Sequence, residues 1–282
     1  MTTEHLISTM RRTECLSLVS EMNCQCGAVV VNQGVPREKT ERDELGTFSV
    51  LSVHTPQTGL SNSRNMLLKN AGADIEILGD DDVVYTEGYL DRIREAYRTF
   101  PDADIIAFQY GKLPYTEKPH NAVQKTGGLV GWKNLSRIRS IELTFRRDRI
   151  LGMGLSFDPA FGLGARYRTG EESVFLADAL RAGAKICYYP AIICVTPPTP
   201  EYKGKFSNGY DREYFFCKGA CFHRMYGPLF FPISILFFLK KRSGIFRGVS
   251  FFRALSWMRQ GRADYKEQEG KRNGTKAPGH RQ

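Results

Sequence analysis

The sequence predicts an α/β protein with a mixed, mainly parallel sheet flanked by helices, followed by a basic and apolar helical extension that associates with a membrane. First, short apolar runs alternate with helical periodicity over the first 110 residues. Second, a composition of 41% hydrophobic and 25% charged residues over 282 positions is that of a globular chain with a core, not of a disordered one. Third, the formal charge of +10 is unevenly distributed, since residues 1–202 carry 23 Lys and Arg against 25 Asp and Glu, whereas residues 203–282 carry 17 against 5.

Strands and helices alternate in the first part of the chain. β-Branched runs predict strands, and apolar residues three and four positions apart predict helices. Sheets of this kind bind ligands beyond the carboxyl ends of their strands, so the residues after each strand are candidates for a site. The predicted strands are Leu6–Ser8, Gly27–Val31, Phe48–Val53, Ile75–Leu78 and Ile105–Tyr110. The predicted helices are Thr13–Met22, Ser61–Ala71 and a segment with Leu90, Ile93, Tyr97 and Phe100 on one face.

The alternation weakens after residue 112 and then resumes. Glycines and aromatic residues indicate a long loop that can shape a pocket, and a helix follows it. The predicted elements are a strand at Ile141–Phe145, a loop at Leu151–Tyr167, a helix at Glu171–Ala182 and strands at Lys185–Tyr189 and Ile192–Val195.

The C-terminal extension combines bulky apolar residues with Lys and Arg. Its uncharged run, Gly227–Leu239, is shorter than the roughly 20 residues that span a bilayer, and a basic triplet at 240–242 follows it. This combination favours helices that lie in the headgroup layer of a membrane, the alternative being a helical hairpin packed on the body. The polar end of the chain is predicted to be disordered. The predicted domains are therefore residues 1–200, 201–263 and 264–282.

Cysteine usage and the N-terminus predict a cytoplasmic location. The seven cysteines follow no common zinc or redox spacing, so we expect buried or free thiols, with a structural zinc site as the alternative. The first residues do not have the pattern of a signal peptide.

Three adjacent carboxylates, Asp80, Asp81 and Asp82, follow the strand at Ile75–Leu78. Such a triplet repels itself unless a cation lies among the carboxylates, and Mg²⁺ is usually held by one or two carboxylates plus substrate phosphates. The alternative is a solvated acidic turn before a helix. Arg64, on the preceding helix, can pair with a phosphate or with these aspartates.

A second pair of carboxylates, Glu171 and Glu172, begins a later helix. One interpretation is a favourable negative charge in the first helical turn. The other is a general base that faces the same pocket as the aspartates.

The order and spacing of these motifs resemble family 2 glycosyltransferases of the GT-A fold. The family's GLS-x-x-RN helix, strand and Asp-rich DxD motif are matched by GLSNSRNMLLKNAGADIEILGDDDVVYTEGYLDRI. Its second half, where Gly-Glu-Asp precedes a helix, is matched by FDPAFGLGARYRTGEESVFLADALRAGAKICYYPAI. The first two strands of a subgroup associated with capsular and exopolysaccharide synthesis are similar to LISTM and AVVVNQ. The resemblance covers residues 5–196.

The resemblance implies a Rossmann-like GT-A domain that binds a nucleotide-sugar, a UDP-sugar, together with a divalent metal, Mn²⁺ or Mg²⁺. Glu172 takes the place of the family's Asp base, whereas Asn32 stands where the family more often has an acid. The implied site residues are Ser8, Thr9, Asn32, Arg64, Asp80 and Asp81 for the donor, Asp82 and Asp81 for the metal, and Glu172 with Glu171 for catalysis.

The implied function is that of a metal-dependent inverting glycosyltransferase of surface polysaccharide biosynthesis, peripheral on the inner face of the cell membrane. Its acceptor would be a saccharide or a lipid-linked saccharide. One alternative is a degenerate GT-A protein that binds a nucleotide-sugar or a partner enzyme, suggested by Asn32 and by the absence of the family's His near Val195. The other is a nucleic-acid-binding protein that uses the basic C-terminus, which leaves the aspartate triplet unexplained. We therefore expect no nucleic-acid partner.

Overall fold

The computed structural model describes residues 1–120, 122–197, 210–245 and 249–274. The chain divides into two compact units, each formed by two stretches of sequence. Unit 1 consists of Met1–Pro159 and Glu171–Glu201, and unit 2 consists of Ala160–Gly170 and Tyr202–Gln282.

Unit 1 is an α/β domain. Its strands are β1 Thr3–Met10, β2 Gly27–Gln33, β3 Lys39–Leu45, β4 Phe48–Thr55, β5 Ile75–Asp80, β6 Val84–Tyr85, β7 Ile105–Lys112, β8 Tyr115–Pro119, β9 Gly128–Leu129, β10 Leu143–Arg146 and β11 Ile186–Thr196. Its helices are α1 Cys15–Glu21, α2 Leu60–Asn70, α3 Tyr89–Thr99, α4 Arg147–Gly152 and α5 Glu171–Arg181. Short 3₁₀ turns at Leu135–Arg137 and Ser140–Glu142 precede β10.

All eleven strands belong to one sheet, in which β8 pairs with β7, β9 pairs with β11 and the remaining strands follow the order β3-β4-β2-β1-β5-β10-β7-β11-β6. Strands β4, β2, β1 and β5 are parallel neighbours, and β11 runs parallel to β7. Strand β10 is antiparallel to both β5 and β7, and β3 is antiparallel to β4. The sheet is therefore mixed and mainly parallel, as the sequence predicts.

Helices cover both faces of the sheet. Neighbouring side chains of a strand point to opposite faces, so their contacts identify the helices on each side. On one face, Ile75 and Ile77 of β5 join a buried cluster with residues of α1 and α3. On the other face, Ser8 of β1 contacts Ser63 of α2, and Phe145 of β10 packs on Phe175 of α5 with ring centroids 6.2 Å apart. This layering is the expected one, with helices on both sides of a largely parallel sheet.

The strands differ in part from the sequence-based prediction, which did not include β3, β6, β8 or β9. Strand β3 was not predicted, because its sequence, KTERDEL, is charged and without an apolar alternation; it lies at the sheet edge, where such residues are typical. The two strands predicted near the end of the body form one strand, β11, with a register irregularity between Tyr188 and Ile192. Pro190 lies within this irregularity, and proline is tolerated in strands at such places.

In the described residues of unit 2 there are three helices, α6 Arg212–Tyr226, α7 Phe230–Ile245 and α8 Phe251–Gly274, with a 3₁₀ turn at Gly227–Leu229. Its core consists of Phe215, Phe222, Phe230, Phe238, Ala254 and Met258. In the described part of the chain, only one stretch, 212–240, is long and apolar enough to cross a membrane by length and composition. None of the seven cysteines, all of which are described and buried, forms a disulfide.

The unit boundaries differ from the predicted domains. Segment Ala160–Gly170 belongs to the helical unit 2, although it lies well before residue 200. Helix α8 continues to Gly274, past residue 264, where the sequence predicts a disordered tail. The polar composition of this segment does not reveal its tertiary interactions. Tyr265 is buried, and Asp264 is hydrogen bonded to Arg166. Residues 275–282 lie outside the described residues.

Candidate active site

The ends of three parallel strands bring most of the predicted donor residues to one edge of the sheet. Ser8 and Thr9 lie near the end of β1, Asn32 near the end of β2, and Asp80 at the end of β5. Ser8 is directly opposite Asp80 in the register of β1 and β5, and Thr9 is opposite Asn32 in the register of β1 and β2. This edge is where open α/β sheets bind their ligands.

Arg64 is the electrostatic centre of this edge. Its side chain is 1% exposed, and it donates from Nη2 to Asp80 Oδ1 at 2.9 Å and from Nη1 to Glu171 Oε1 at 3.1 Å. Its guanidinium lies 5.4 Å from the centre of the Phe157 ring. Burial lowers the pKa of Arg64, but Asp80, Glu171 and Glu172 outweigh burial and raise it. Arg64 therefore joins the aspartate triplet to the helix that carries both glutamates.

The three aspartates have different surroundings. Both oxygens of Asp80 are hydrogen bonded, Oδ1 to Arg64 and Oδ2 to the hydroxyl of Ser140 at 3.1 Å. Asp81 Oδ2 accepts a 2.6 Å hydrogen bond from the hydroxyl of Thr9. Partial loss of hydration and the neighbouring charges of Asp80 and Asp81 raise the pKa of Asp82. Asp82 is thus the aspartate whose charge is least compensated by its neighbours.

The three aspartates are the candidate ligands of a divalent cation. Within residues 1–120, 122–197, 210–245 and 249–274, no group of three Asp, Glu, His or Cys side chains is arranged to hold a metal by itself. Mg²⁺ characteristically needs only one or two carboxylates, the remaining ligands being water and substrate phosphates. The repulsion that raises the pKa of Asp82 is the repulsion that a cation would relieve. One or two of these aspartates would hold such a cation only together with water and a substrate phosphate.

Asn32 is fully buried and holds the backbone of the chain after β1. Its Oδ1 accepts from the N–H of Arg12 at 3.0 Å, and its Nδ2 donates to the carbonyl of Arg12 at 2.7 Å. Asn32 Nδ2 also lies 3.3 Å from Nδ1 of His54. The side chain predicted to contact the nucleotide thus shapes the loop that follows β1.

The two glutamates at the start of α5 are both buried, but they differ in their contacts. Glu171 binds Arg64, so its charge is compensated inside the protein. The Glu172 charge contributes to the raised pKa of Arg64 and to that of Glu142, which shows that Glu172 lies within electrostatic reach of both. Glu172 and Asp80 therefore both lie within electrostatic reach of Arg64.

Three neighbours of this site were not predicted from the sequence. Ser140 holds Asp80, and Phe157 lies against Arg64. Glu142 is completely buried and accepts from the Arg139 N–H at 2.7 Å; burial raises its pKa to about 8, with Glu172 adding to the rise and Arg139 opposing it. Ser140 and Glu142 stand in a segment without a recognisable motif, and Phe157 opens the second segment that resembles the family, where the resemblance implies no role for it. Only the tertiary structure therefore places them beside Asp80, Glu172 and Arg64.

The fold is similar to that of solved structures of S. aureus TarS. TarS 1–349 matches with a TM-score of 0.60 at 12% identity, over 93% of this chain and 81% of that chain. TarS 1–349 in complex with UDP-GlcNAc matches with a TM-score of 0.61 at 13% identity, over 94% of this chain and 80% of that chain. No family model matches the sequence. No curated protein matches it either. The likeness confirms the predicted GT-A fold.

Proposed function

We propose that this protein is a metal-dependent inverting glycosyltransferase that moves a sugar from a UDP-sugar to a hydroxyl of a lipid-linked saccharide in surface polysaccharide biosynthesis. The observation that carries the proposal is the Arg64 network, which ties Asp80 to Glu171 at the carboxyl edge of a GT-A sheet. The likeness to TarS, which has been solved with UDP and with UDP-GlcNAc, supports a nucleotide-sugar as the donor.

Glu172 is the proposed general base. Inverting transfer needs a carboxylate that takes the proton of the acceptor hydroxyl while the hydroxyl oxygen attacks the anomeric carbon from the face opposite the diphosphate. Glu171 is less suited to this role, because its carboxylate already accepts from buried Arg64 at 3.1 Å. We therefore assign to Glu171 the task of orienting Arg64 and the start of α5.

The donor diphosphate would lie beside the aspartate triplet. Asp82, with Asp81 as the second ligand, would hold Mn²⁺ or Mg²⁺, whose positive charge stabilises the negative charge that develops on a leaving diphosphate. Ser8, Thr9 and the loop held by Asn32 would surround the nucleoside. The Arg64–Asp80 pair would keep Asp80 in place at the edge of the donor pocket.

The proposed location is the inner face of the cell membrane. Helix α7 packs Phe230, Ser234 and Phe238 into unit 2 and leaves an opposite apolar face exposed, which supports an interfacial helix. A lipid-linked acceptor would be reached from such a position.

Donor turnover with matched variants tests the proposed roles. We expect the full-length protein with Mn²⁺ to release UDP from UDP-GlcNAc or another UDP-sugar in a donor panel. Asp82→Asn and Glu172→Gln should each reduce kcat at least about a hundredfold, because one removes a charge at the diphosphate and the other removes the base. The measurement is coupled detection of UDP, with thermal unfolding as a check of the fold.

Asp91→Asn is the matched control, because Asp91 is an exposed aspartate of α3 that pairs with Arg94 on the same helix. It should retain wild-type turnover. Wild-type turnover in Asp82→Asn and Glu172→Gln would contradict the assigned roles.

A second candidate function is nucleotide-sugar binding without turnover. It is favoured by Asn32, whose amide groups bind the Arg12 backbone where the family more often offers a carboxylate. Calorimetry would then detect binding of UDP-GlcNAc in the presence of Mn²⁺, while no donor in the panel would be turned over.

A further inference from the structure

The segment that leads into the proposed base belongs to the helical unit 2. Residues 160–170 form one compact unit with α6, α7 and α8, whereas the next residue, Glu171, begins α5 of unit 1. Phe161 contacts Tyr265 of α8 with ring centroids 5.6 Å apart, and Tyr167 contacts Phe216 of α6 at 6.0 Å. The segment, here called the strap, is therefore a loop that contacts two helices of the C-terminal unit.

Asp264 of α8 makes the most extensive polar contact with this strap. One oxygen accepts from Arg166 Nη2 at 2.5 Å, and the other accepts from Arg166 Nε at 2.7 Å and from the Tyr167 hydroxyl at 2.6 Å. The paired hydrogen bonds to one guanidinium are the geometry that fixes position as well as charge. The hydrogen bond from Arg166 also lowers the pKa of Asp264, so the carboxylate stays ionised at neutral pH.

Helix α6 holds the remainder of the strap. Arg168 Nη1 donates to Glu213 at 3.2 Å. Gly170, with a φ of +96°, lies so close to α6 that a Cβ added to it would be 2.7 Å from Cys221 Sγ. Gly170 directly precedes Glu171 and Glu172, so the strap continues without a linker into the first turn of α5.

We propose that Asp264 is a positioning residue for catalysis, which, through Arg166 and Tyr167, fixes the strap and thereby the place of Glu172 at the start of α5. The proposal rests on the proposed function in that Glu172 is taken as the base. A truncation after residue 199 would remove α6 and α8, the two helices that contact the strap.

The test compares Asp264→Asn with Glu267→Gln in the full-length protein. Glu267 is a fitting control because it lies on the same helix and its loss removes an exposed ion pair, with Lys271. We expect Asp264→Asn to lower kcat for UDP release about ten- to hundredfold, with the KM for UDP-GlcNAc changed less than about twofold, since a small misplacement of a catalytic group costs this much. Asp264→Glu, which keeps a carboxylate, should recover most of the rate, and Glu267→Gln should match the wild type.

Hydrogen–deuterium exchange gives a readout independent of turnover. In Asp264→Asn, amides of the strap and of the first turn of α5 should exchange faster, whereas those of β1 and β5 should be unchanged. Unchanged exchange in the first turn of α5, or faster exchange throughout unit 1, would overturn the proposal. If the wild type releases UDP from no donor, the proposed function fails, and the exchange result alone decides whether Asp264 positions α5.

Discussion

At the scale of single residues, the candidate site depends on the buried guanidinium of Arg64, which pairs with the carboxylates of Asp80 and Glu171. Arg64 is 1% exposed and Glu171 2% exposed, so both charges have lost most of their hydration. A buried ion pair of this kind contributes little net stability, but removing one partner leaves an uncompensated charge and typically costs about 3–5 kcal/mol. Loss of Arg64 or of either carboxylate, Asp80 or Glu171, should therefore destabilise the protein by leaving a charge without its partner.

Glu76 is a buried carboxyl of a different kind, far from any proposed role. It lies on β5, is completely buried, and neither of its carboxylate oxygens makes a hydrogen bond of normal geometry within the described residues. Burial raises its pKa to about 9, the charge of Glu4 adds to the rise, and Arg147 opposes it. The folded protein therefore keeps the proton of Glu76 at a pH where the unfolded chain loses it.

Stability should fall as pH rises, because the folded state binds more protons at Glu76 than the unfolded state between pH 4.5 and about 9. The slope from one such group is at most about 1.4 kcal/mol per pH unit. We expect Glu76→Gln to flatten this dependence and to be more stable than the wild type at pH 8 to 9, as measured by urea unfolding across a pH series. Glu142 contributes a similar slope in both proteins. Identical slopes for Glu76→Gln and the wild type would show that Glu76 titrates normally.

At the scale of elements, two glycines allow α6 and α8 to approach each other closely. A Cβ added to Gly219 of α6 would collide with the backbone carbonyl of Met258, and one added to Gly261 of α8 would collide with that of Phe216. Because these contacts are to backbone and not to flexible side chains, the helices could not relax around a larger residue. The pairing of α6 with α8 is therefore specified by the absence of side chains at two positions.

A single methyl group at this crossing should be costly. We expect Gly261→Ala to lower the free energy of unfolding by at least about 2 kcal/mol, since overpacking a tight contact costs 1–3 kcal/mol or more. The control is Gly270→Ala on the same helix, where an added Cβ meets nothing within 4 Å, and where alanine favours the helix by up to about 1 kcal/mol. Thermal and urea unfolding of both variants provide the measurement. Equal stabilities would mean that the helices do not cross at Gly261.

At the scale of the whole molecule, basic charge and exposed apolar area occur together in the C-terminal part. Residues 203–282 carry 17 Lys and Arg against 5 Asp and Glu. On α7, Ile235, Leu236 and Leu239 are 46%, 51% and 65% exposed, whereas Phe230 and Phe238 on the opposite face are buried. Apolar area and cationic charge add their contributions at an anionic membrane surface.

Vesicle flotation tests this location. We expect the full-length protein to float with vesicles that contain anionic phosphatidylglycerol and less with neutral phosphatidylcholine, and the double variant Ile235→Glu/Leu239→Glu to lose most of the binding. Leu151→Glu, at an exposed leucine of α4 in unit 1, is the control and should bind as the wild type does. Binding in cells that resists washing with alkaline carbonate would instead indicate that the 212–240 stretch spans the bilayer.

Much of the fold could be predicted because its signals are local. The strands at Gly27–Gln33 and Ile105–Lys112 are apolar, and α2 and α5 carry their own periodicity or motif. Strand β3 could not be predicted, since an edge strand without a buried face has no apolar alternation. The helical end of α8 was missed for a related reason, because a polar composition resembles that of a disordered tail when its tertiary contacts are unknown.

The amino-acid sequence alone places three carboxylates together at the carboxyl edge, because Asp80, Asp81 and Asp82 are consecutive residues at the end of one strand. Which charges neutralise each other does not follow from the order of residues. Arg64 meets Glu171 across 107 positions, and Arg166 meets Asp264 across 98. Contacts over such separations arise only when packing brings distant segments together. The packing then decides which carboxylates are paired with a buried arginine and which remain available for a ligand.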